Sequence, residues 1–393
     1  MSKLKSKFAP NYGSYPDVKI LFQYGGAYVF GKERSAFHLM RELQRAGHQI
    51  FIVCNGWNNG HFIRLLRENN LQHSCIKLGK ISKSIHPLHL KWTLDALLHL
   101  PAARIKFTAL VRKHQPEVVV FESYYTYYLL RNTCRGLKTA VVYHEDPKNN
   151  FWLKQSLKPA ANKATAHLGV SRFICRQLEW AGFPKNRIFL LYNTYDETPN
   201  YSPRRPHGNM GIRIGYAGQI QPWKGIEDLF DALALLKNRI HFYCLVAGTG
   251  DEQYTSFLKE KSRRLGIADS LYWLGYLERT EEFYRQIDLC VAPACREEAF
   301  GRTPMEAGLF GVPSIVTQSG GLPEIVQDGT TGFVVPIHAP AIIAQKIAYL
   351  FHRPETLAKM GRRARTDYRV RFSPKRQAAR FIQIMHQLAC PAF

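Results

Sequence analysis

Short apolar runs alternate with longer amphipathic segments along most of this chain. The run "VKILFQY" (18–24) is followed by "ERSAFHLMRELQRAGH" (33–48), where Phe37, Met40 and Leu43 have helical spacing and a glycine ends the pattern. Uninterrupted apolar strands between amphipathic helices are typical of a parallel sheet that is covered on both faces. The pattern therefore predicts repeated β-α-β units.

The alternation falls into two blocks of similar size. It stops at "YDETPNYSPRRPHGNMG" (195–211), a stretch of prolines, glycines and polar residues that indicates a linker, and it restarts at "IRIGYAG" (212–218). A chain of 393 residues is also too long for one ordinary core. We expect two doubly wound α/β domains facing across a cleft, with ligands beyond the carboxyl ends of the strands. The predicted segments are residues 1–195, a linker at 196–211, residues 212–373 and a final helix at 374–393.

The composition argues against a disordered, membrane-spanning or disulfide-rich protein. Hydrophobic residues make up 46% of the chain and aromatic residues 12%, which argues against extensive disorder. No run approaches about 18 uninterrupted apolar residues, and the N-terminal segment lacks the apolar region of a secretory signal. Eight scattered cysteines without a CxxC pair predict reduced thiols in a cytoplasmic protein.

The charge is large and uneven. The net charge is +24, and residues 1–200 carry 29 Lys and Arg against 12 Asp and Glu. An excess of this size predicts an anionic partner, which from the charge alone is a phosphate compound, an acidic membrane surface or a nucleic acid.

Two glycine-containing loops follow predicted strands in the second block. In "GYAGQIQPWKG" (215–225), Lys224 precedes a helix, an arrangement that suits a diphosphate, although an ordinary strand–helix loop fits as well. In "LVAGTGDEQY" (245–254), Gly248 permits close approach of a base or ribose, or simply a turn, because the GxGxxG fingerprint is incomplete.

The segment "REEAFGRTPMEAGLFGVP" (296–313) places two acids, Glu298 and Glu306, around a glycine loop. One interpretation is a capping box, with Thr303 as N-cap and Glu306 reaching back to it. That interpretation does not account for Glu298 or for the second glycine-opened helix in "QSGGLPEIVQDGTTG" (318–332). Helix N-termini that donate to phosphates, beside carboxylates that accept from hydroxyls, favour a nucleotide-sugar site.

This same segment resembles the signature of the retaining glycosyltransferases of family 4, which have the GT-B fold. The resemblance spans most of the chain, including "GQIQPWKG", "VSRFICRQLEWAGFPKNRIFLLYNTYD" and, more loosely, "FGKERSAFHLMRELQRAGHQIFIV". It implies an acceptor-binding first domain, a nucleotide-sugar-binding second domain, and a last helix that crosses back to the first domain.

The resemblance also implies roles for individual residues. Glu306 is expected to hold the ribose hydroxyls, Glu298 the hydroxyls and developing positive charge of the donor sugar, and Lys224 the diphosphate. The remaining donor-binding candidates are Gln219, Gly248, Phe300, Gly301, Arg302 and Thr303.

In the first domain, His144 in "VVYHED" matches a histidine near the sugar and acceptor, and a satisfied strand-end histidine is the alternative. Gly31 and Glu33 in "FGKER" match a glycine-rich turn over the cleft, a place for which "YGG" (24–26) is a rival.

Two departures from the family pattern are informative. The family usually carries an arginine where this chain has Gln219, and an apolar residue where it has Arg302. We hypothesise that Arg302 supplies the displaced guanidinium to the diphosphate. The alternative is that Gln219 bonds a phosphate and Arg302 points to solvent.

No DxD pair follows a strand, so we expect neither a metal nor any cofactor besides the donor. The resemblance implies same-face displacement with retention. Two other functions stay open: a GT-B sugar-nucleotide epimerase and a basic nucleic-acid-binding protein. No RNP, KH or zinc pattern is present, so no nucleic-acid partner is expected.

The basic residues of the first block cluster around "PLHLKWTLDALLHL" (87–100), whose leucines form an apolar side. This segment is similar to an interfacial helix on an anionic membrane, although a helix docked on its own sheet is an equal alternative. A lipid-linked saccharide or cell-envelope polysaccharide precursor as acceptor would explain the charge. The expected location is then the cytoplasm, at the inner membrane face.

Overall fold

The computed structural model describes residues 16–24, 31–56, 60–78, 87–147, 162–195 and 211–389. The chain divides into two compact units: Met1–Asp196 together with Phe372–Phe393, and Glu197–Arg371. Apart from Gly211, the predicted linker at 196–211 lies outside the described residues.

In the described part of the first unit, seven parallel strands form one sheet in the order β3-β2-β1-β4-β5-β6-β7. The strands are β1 (Lys19–Gln23), β2 (Gln49–Asn55), β3 (Gln72–Ile76), β4 (Val118–Phe121), β5 (Lys138–Tyr143), β6 (Ala166–Gly169) and β7 (Ile188–Leu190). The helices between them are α1 (Gly31–Arg45), α2 (His61–Glu68), α3 (Pro87–His114), α4 (Tyr124–Leu130) and α5 (Arg172–Trp180).

The second unit has a parallel sheet of six described strands in the order β10-β9-β8-β11-β12-β13. The strands are β8 (Ile212–Ala217), β9 (Phe242–Ala247), β10 (Leu271–Gly275), β11 (Leu289–Ala292), β12 (Ser314–Thr317) and β13 (Gly332–Val335). The helices are α6 (Ile226–Ala234), α7 (Glu252–Leu265), α8 (Glu281–Gln286), α9 (Arg302–Leu309), α10 (Leu322–Ile325), α11 (Pro340–Phe351) and α12 (Pro354–Arg371).

Both sheets are doubly wound, which is the Rossmann-like arrangement. The strand order reverses between β1 and β4 in the first unit, and between β8 and β11 in the second. Successive β1 side chains point to opposite faces, yet Ile20, Leu21 and Phe22 are each at most 1% exposed. Burial on both faces is the physical reason that the strands are continuous apolar runs.

The last helix, α13 (Pro374–Ala389), belongs to the first unit. Its Phe381 lies against Phe22 of β1, with ring centroids 5.9 Å apart. The Gln377 side chain accepts a hydrogen bond from the Tyr192 N–H at 3.1 Å. Among the described helices, none combines the length and apolar character required to span a bilayer.

Candidate functional site

Three polar side chains stand at the carboxyl ends of neighbouring strands in the first unit. Tyr24, Glu122 and His144 directly follow β1, β4 and β5. The Tyr24 hydroxyl lies 2.6 Å from His144 Nε2. Burial, then the charges of Glu122 and Glu33, raise the pKa of Tyr24 well above its ordinary value, so its hydroxyl keeps its proton. This hydrogen bond fixes the orientation of the imidazole, and which of the two groups donates depends on the tautomer of His144.

The first turn of α1 brings further charges to this edge. Gly31 is the first residue of the helix, and Glu33 is fully buried in its first turn. Lys32 Nζ lies 3.5 Å from a Glu33 oxygen and 3.7 Å from a Glu122 oxygen. Residues 25–30 lie outside the described residues. The predicted turn through Gly31, and its rival at 24–26, therefore stay predictions.

In the second unit, the turn that carries Lys224 is packed tightly at the end of β8. The Tyr216 hydroxyl donates to the Gln219 carbonyl at 2.8 Å, while Gln219 itself is exposed. Gly225 has a φ of +71° and opens α6. A β-carbon there would lie 1.8 Å from the Pro293 carbonyl oxygen, so only glycine lets this turn reach the loop that follows β11.

Lys224 and Glu298 are paired. The Lys224 ammonium donates to Glu298 Oε2 and lies 4.2 Å from the ring centroid of Trp223. The backbone of Glu298 rests on the glycine pair of the next loop. Its carbonyl accepts from the Gly321 N–H at 2.7 Å, and a β-carbon at Gly320 would lie 2.2 Å from the same oxygen. The second glycine loop therefore supports the first carboxylate.

The capping-box interpretation of Glu306 is wrong. Helix α9 begins at Arg302, and Gly301 is its N-cap with a φ of +100° and no side-chain cap. Thr303 is thus already inside the helix, and its hydroxyl donates to the Ala217 carbonyl at 2.9 Å. Because the glycine starts the helix two residues early, Glu306 lies too far along it to reach the N-cap.

Glu306 instead accepts hydrogen bonds from two hydroxyls outside its helix and from Arg302 one turn earlier on the same helix. Its Oε2 lies 3.1 Å from the Tyr284 hydroxyl and 3.4 Å from the Thr280 hydroxyl, and its Oε1 accepts from the Arg302 guanidinium. The Glu306 side chain is only 9% exposed. These contacts hold the carboxylate in one orientation at the end of the sheet.

Arg302 does not point to solvent, so that part of the alternative is wrong, while a phosphate bond from Gln219 stays a prediction. Its side chain is 19% exposed and paired with Glu306. The Nε and Nη1 groups of Arg302 are buried and have no hydrogen-bond partner among the described residues. Buried donors without acceptors are costly, and these two would be satisfied by an anionic ligand. The role of Arg302 toward a diphosphate stays a prediction.

The backbone at Gly248 and Phe300 is also constrained. Gly248 has a φ of +136°, and a β-carbon there would lie 1.8 Å from the Gly218 carbonyl oxygen. The loops after β8 and β9 therefore touch directly. Phe300 is 3% exposed, so only its backbone is left for a donor contact.

Sequence reasoning missed Tyr24, Glu122, Tyr284 and Thr280. The first two had a usable signal, because each comes directly after a buried strand, where ligand-binding residues of such sheets lie. Tyr284 and Thr280 had no comparable signal, since their contact with Glu306 depends on how α8 packs.

Comparison with known proteins covers both units. Residues 198–367 match the family model described as "Glycosyl transferases group 1", and residues 30–198 match "Glycosyltransferase Family 4". The chain belongs to the group 1 glycosyltransferases.

A curated relative of this glycosyltransferase is the "Lipopolysaccharide core biosynthesis mannosyltransferase LpsB" of Rhizobium meliloti (strain 1021). The two are 33% identical over 215 residues, which is 49% of this chain and 61% of the relative. The match thus spans less than two thirds of the relative's length.

Solved structures establish the fold as GT-B. A glycosyltransferase from Rickettsia africae ESF-5 has a TM-score of 0.78 at 21% identity and covers 96% of this chain and 100% of its own. Anabaena HepE, solved with UDP and glucose, has a TM-score of 0.74 at 18% identity and covers 95% of this chain and 98% of its own.

Proposed function

We propose that this protein transfers a sugar from a nucleoside-diphosphate sugar to an acceptor with retention of anomeric configuration. The observation that carries the proposal is the set of two ion pairs in the second unit, Lys224 with Glu298 and Arg302 with Glu306. Each carboxylate expected to bind donor hydroxyls is held beside a cation expected to bind the diphosphate. The family match, the mannosyltransferase relative and the UDP and glucose of HepE support the same function.

Donor binding would exchange the partners within these pairs. Lys224 and Arg302 would turn toward the diphosphate, joined by the N–H groups of the first turn of α9. Glu298 and Glu306 would then accept from the hydroxyls of the sugar and the ribose. Each charge has a partner before and after binding, so no charge is left buried alone.

The chemical step follows from the same groups. The bond between the anomeric carbon and the diphosphate breaks, and a bond to the acceptor oxygen forms on the same face. The acceptor proton passes to the departing phosphate oxygen. Lys224 and Arg302 stabilise the negative charge on the leaving group, and Glu298 stabilises the positive charge on the sugar ring. The charges of Lys224 and Arg302 would suffice to stabilise the leaving group, so we propose that transfer needs no metal. We also propose that His144 contacts the sugar or the acceptor.

The test is a turnover assay with UDP-, GDP- and ADP-sugars, which detects the released nucleoside diphosphate and the anomeric proton of the product by NMR. Glu298→Gln should lower turnover by about 10²–10³-fold, the usual cost of one electrostatic contact in the transition state. The matched control is Glu297→Gln, at the exposed acid next to it. Equal turnover of both variants would contradict the proposal. A converted nucleotide sugar without any acceptor would favour the epimerase alternative, which the family match does not favour.

We also propose that the acceptor is lipid-linked and that α3 rests on an anionic membrane surface. The support is an apolar stripe on this helix, Leu90, Leu94, Leu97, Leu98 and Ile105, whose members are between 48% and 75% exposed. Their spacing places them on one face of a helix. Exposed basic residues on the same helix are Lys91, Arg104, Lys106, Arg112 and Lys113. An exposed apolar face with basic flanks is the pattern of an interfacial helix.

Co-sedimentation with vesicles tests this second proposal. The protein should bind vesicles containing phosphatidylglycerol and not vesicles of phosphatidylcholine alone, with binding weakened by salt. Replacing Leu94 and Leu98 with aspartate should abolish binding, whereas Leu235→Asp, at an exposed leucine of the second unit, should not. No binding by the wild type would favour the helix-on-sheet alternative.

A further inference from the structure

Three metal-ligating side chains meet beside the Lys224 turn. Asp228 lies in the first turn of α6, Cys295 follows β11, and His338 follows β13. Asp228 Oδ2 lies 3.2 Å from His338 Nδ1 and 3.6 Å from Cys295 Sγ, and the three ligand atoms all lie within 4.8 Å of one another. The three segments converge at the carboxyl edge of the second sheet.

The distances from Asp228 to the other two groups are compatible with a tetrahedral zinc site. Zinc binds oxygen and nitrogen at about 2.0–2.1 Å and sulfur at about 2.3 Å, so neighbouring ligands in a tetrahedron are roughly 3.3–3.6 Å apart. The distances from Asp228 Oδ2 to His338 Nδ1 and to Cys295 Sγ, 3.2 Å and 3.6 Å, are close to these edges. Thiolate, imidazole and carboxylate together also form a ligand set that suits zinc and not magnesium or calcium.

The backbone at two of the ligands is constrained. His338 has a φ of +55°, a left-handed conformation that is uncommon for a residue other than glycine. Its side chain is 68% exposed, and its Nδ1 lies on the Asp228 side of the ring, where solvent can still reach the group. The N–H of Cys295 donates to the Trp223 carbonyl at 2.8 Å, which ties the thiol to the Lys224 turn.

We propose that Asp228, Cys295 and His338 form a Zn²⁺ site. On binding, the sulfur–metal bond forms as the thiol proton leaves to solvent, and a water completes the tetrahedron. The ion would join α6 to the loops after β11 and β13 next to the candidate donor site. The ion would take no part in the transfer reaction, so the test of zinc binding is independent of the proposed function.

Cobalt(II) titration of the metal-free full chain tests the site. Co²⁺ should produce a cobalt–thiolate charge-transfer band in the near ultraviolet, with visible bands of tetrahedral intensity, and Zn²⁺ should displace it. Cys295→Ser should remove the thiolate band. His338→Ala should weaken Co²⁺ binding at least tenfold, whereas His352→Ala, at an exposed histidine, should leave it unchanged.

A pair of thiols away from the proposed site requires its own control, because Cys54 and Cys75 face each other in the β2–β3 register. Cys75→Ser should leave the band intact. The proposal is overturned if the wild type shows no band, or if the band disappears in Cys75→Ser and survives in Cys295→Ser. The three side chains would then be a hydrogen-bonded cluster without a metal. Circular dichroism of each variant separates loss of binding from loss of folding.

Discussion

Replacing Glu306 with glutamine should destabilise the protein by about 3 kcal/mol. The Arg302 and Glu306 side chains are 19% and 9% exposed, so little water reaches the pair. Removing one member of a buried ion pair costs about 3–5 kcal/mol, because the remaining charge stays uncompensated. The partial exposure of Arg302 places the estimate at the low end.

Replacing the other member of the pair, in Arg302→Met, should destabilise the protein less, by about 1–2 kcal/mol. Glu306 would keep its hydrogen bonds from Tyr284 and Thr280. In the double variant neither charge is buried, so the two single effects should not add. The expected coupling is about 2 kcal/mol in a double-mutant cycle.

Urea unfolding followed by circular dichroism measures all four proteins of the cycle. A coupling below about 0.5 kcal/mol, the usual limit for independent sites, would refute the argument that the pair is buried and mutually dependent.

Other expectations concern single residues. Burial lowers the pKa of His167 to about 4, and the unfolded pKa is 6.5, so the unfolded chain binds the extra proton between these values. The free energy of unfolding of the wild type, measured by urea unfolding, should therefore fall by about 2 kcal/mol between pH 7 and pH 5. If His167→Gln shows an equal fall, His167 is not the group responsible. Gly248→Ala should lower the unfolding temperature far more than Gly275→Ala, since only the first β-carbon meets backbone; similar melting curves would be inconsistent with that packing. Tyr284→Phe should weaken nucleotide binding roughly tenfold by releasing Glu306, which isothermal calorimetry would detect, and unchanged affinity would rule out a positioning role for this hydroxyl.

The doubly wound sheets could be predicted from sequence, because a strand that is buried on both faces requires a continuous run of apolar residues. "VKILFQY" contains β1, and "IRIGYAG" contains β8. The predicted helix at 33–48 is observed as Gly31–Arg45, a shift at each end that depends on the turns around it and not on the apolar periodicity.

For the candidate site, the sequence predicted which residue types lie near the strand ends, and it did not predict their contacts. The motif around Glu298 and Glu306 placed both acids, but Thr303 and Glu306 also fit a capping box, and local sequence could not separate the two interpretations. The left-handed Gly301 decides between them, since it starts α9 early. The Tyr284 contact and the Asp228, Cys295 and His338 cluster join segments that are distant in sequence, so no local pattern could reveal them.

The central claim is that the Lys224 region of the second unit binds a nucleoside-diphosphate sugar. Its most direct test is calorimetric titration of UDP, GDP and ADP into the wild type, Lys224→Met and the exposed-lysine control Lys359→Met. We predict that one nucleotide binds the wild type and the control alike, and binds Lys224→Met at least tenfold more weakly, a loss of about 1.4 kcal/mol. Absence of binding by all three nucleotides, or equal affinity of the Lys224 variant, would contradict the account.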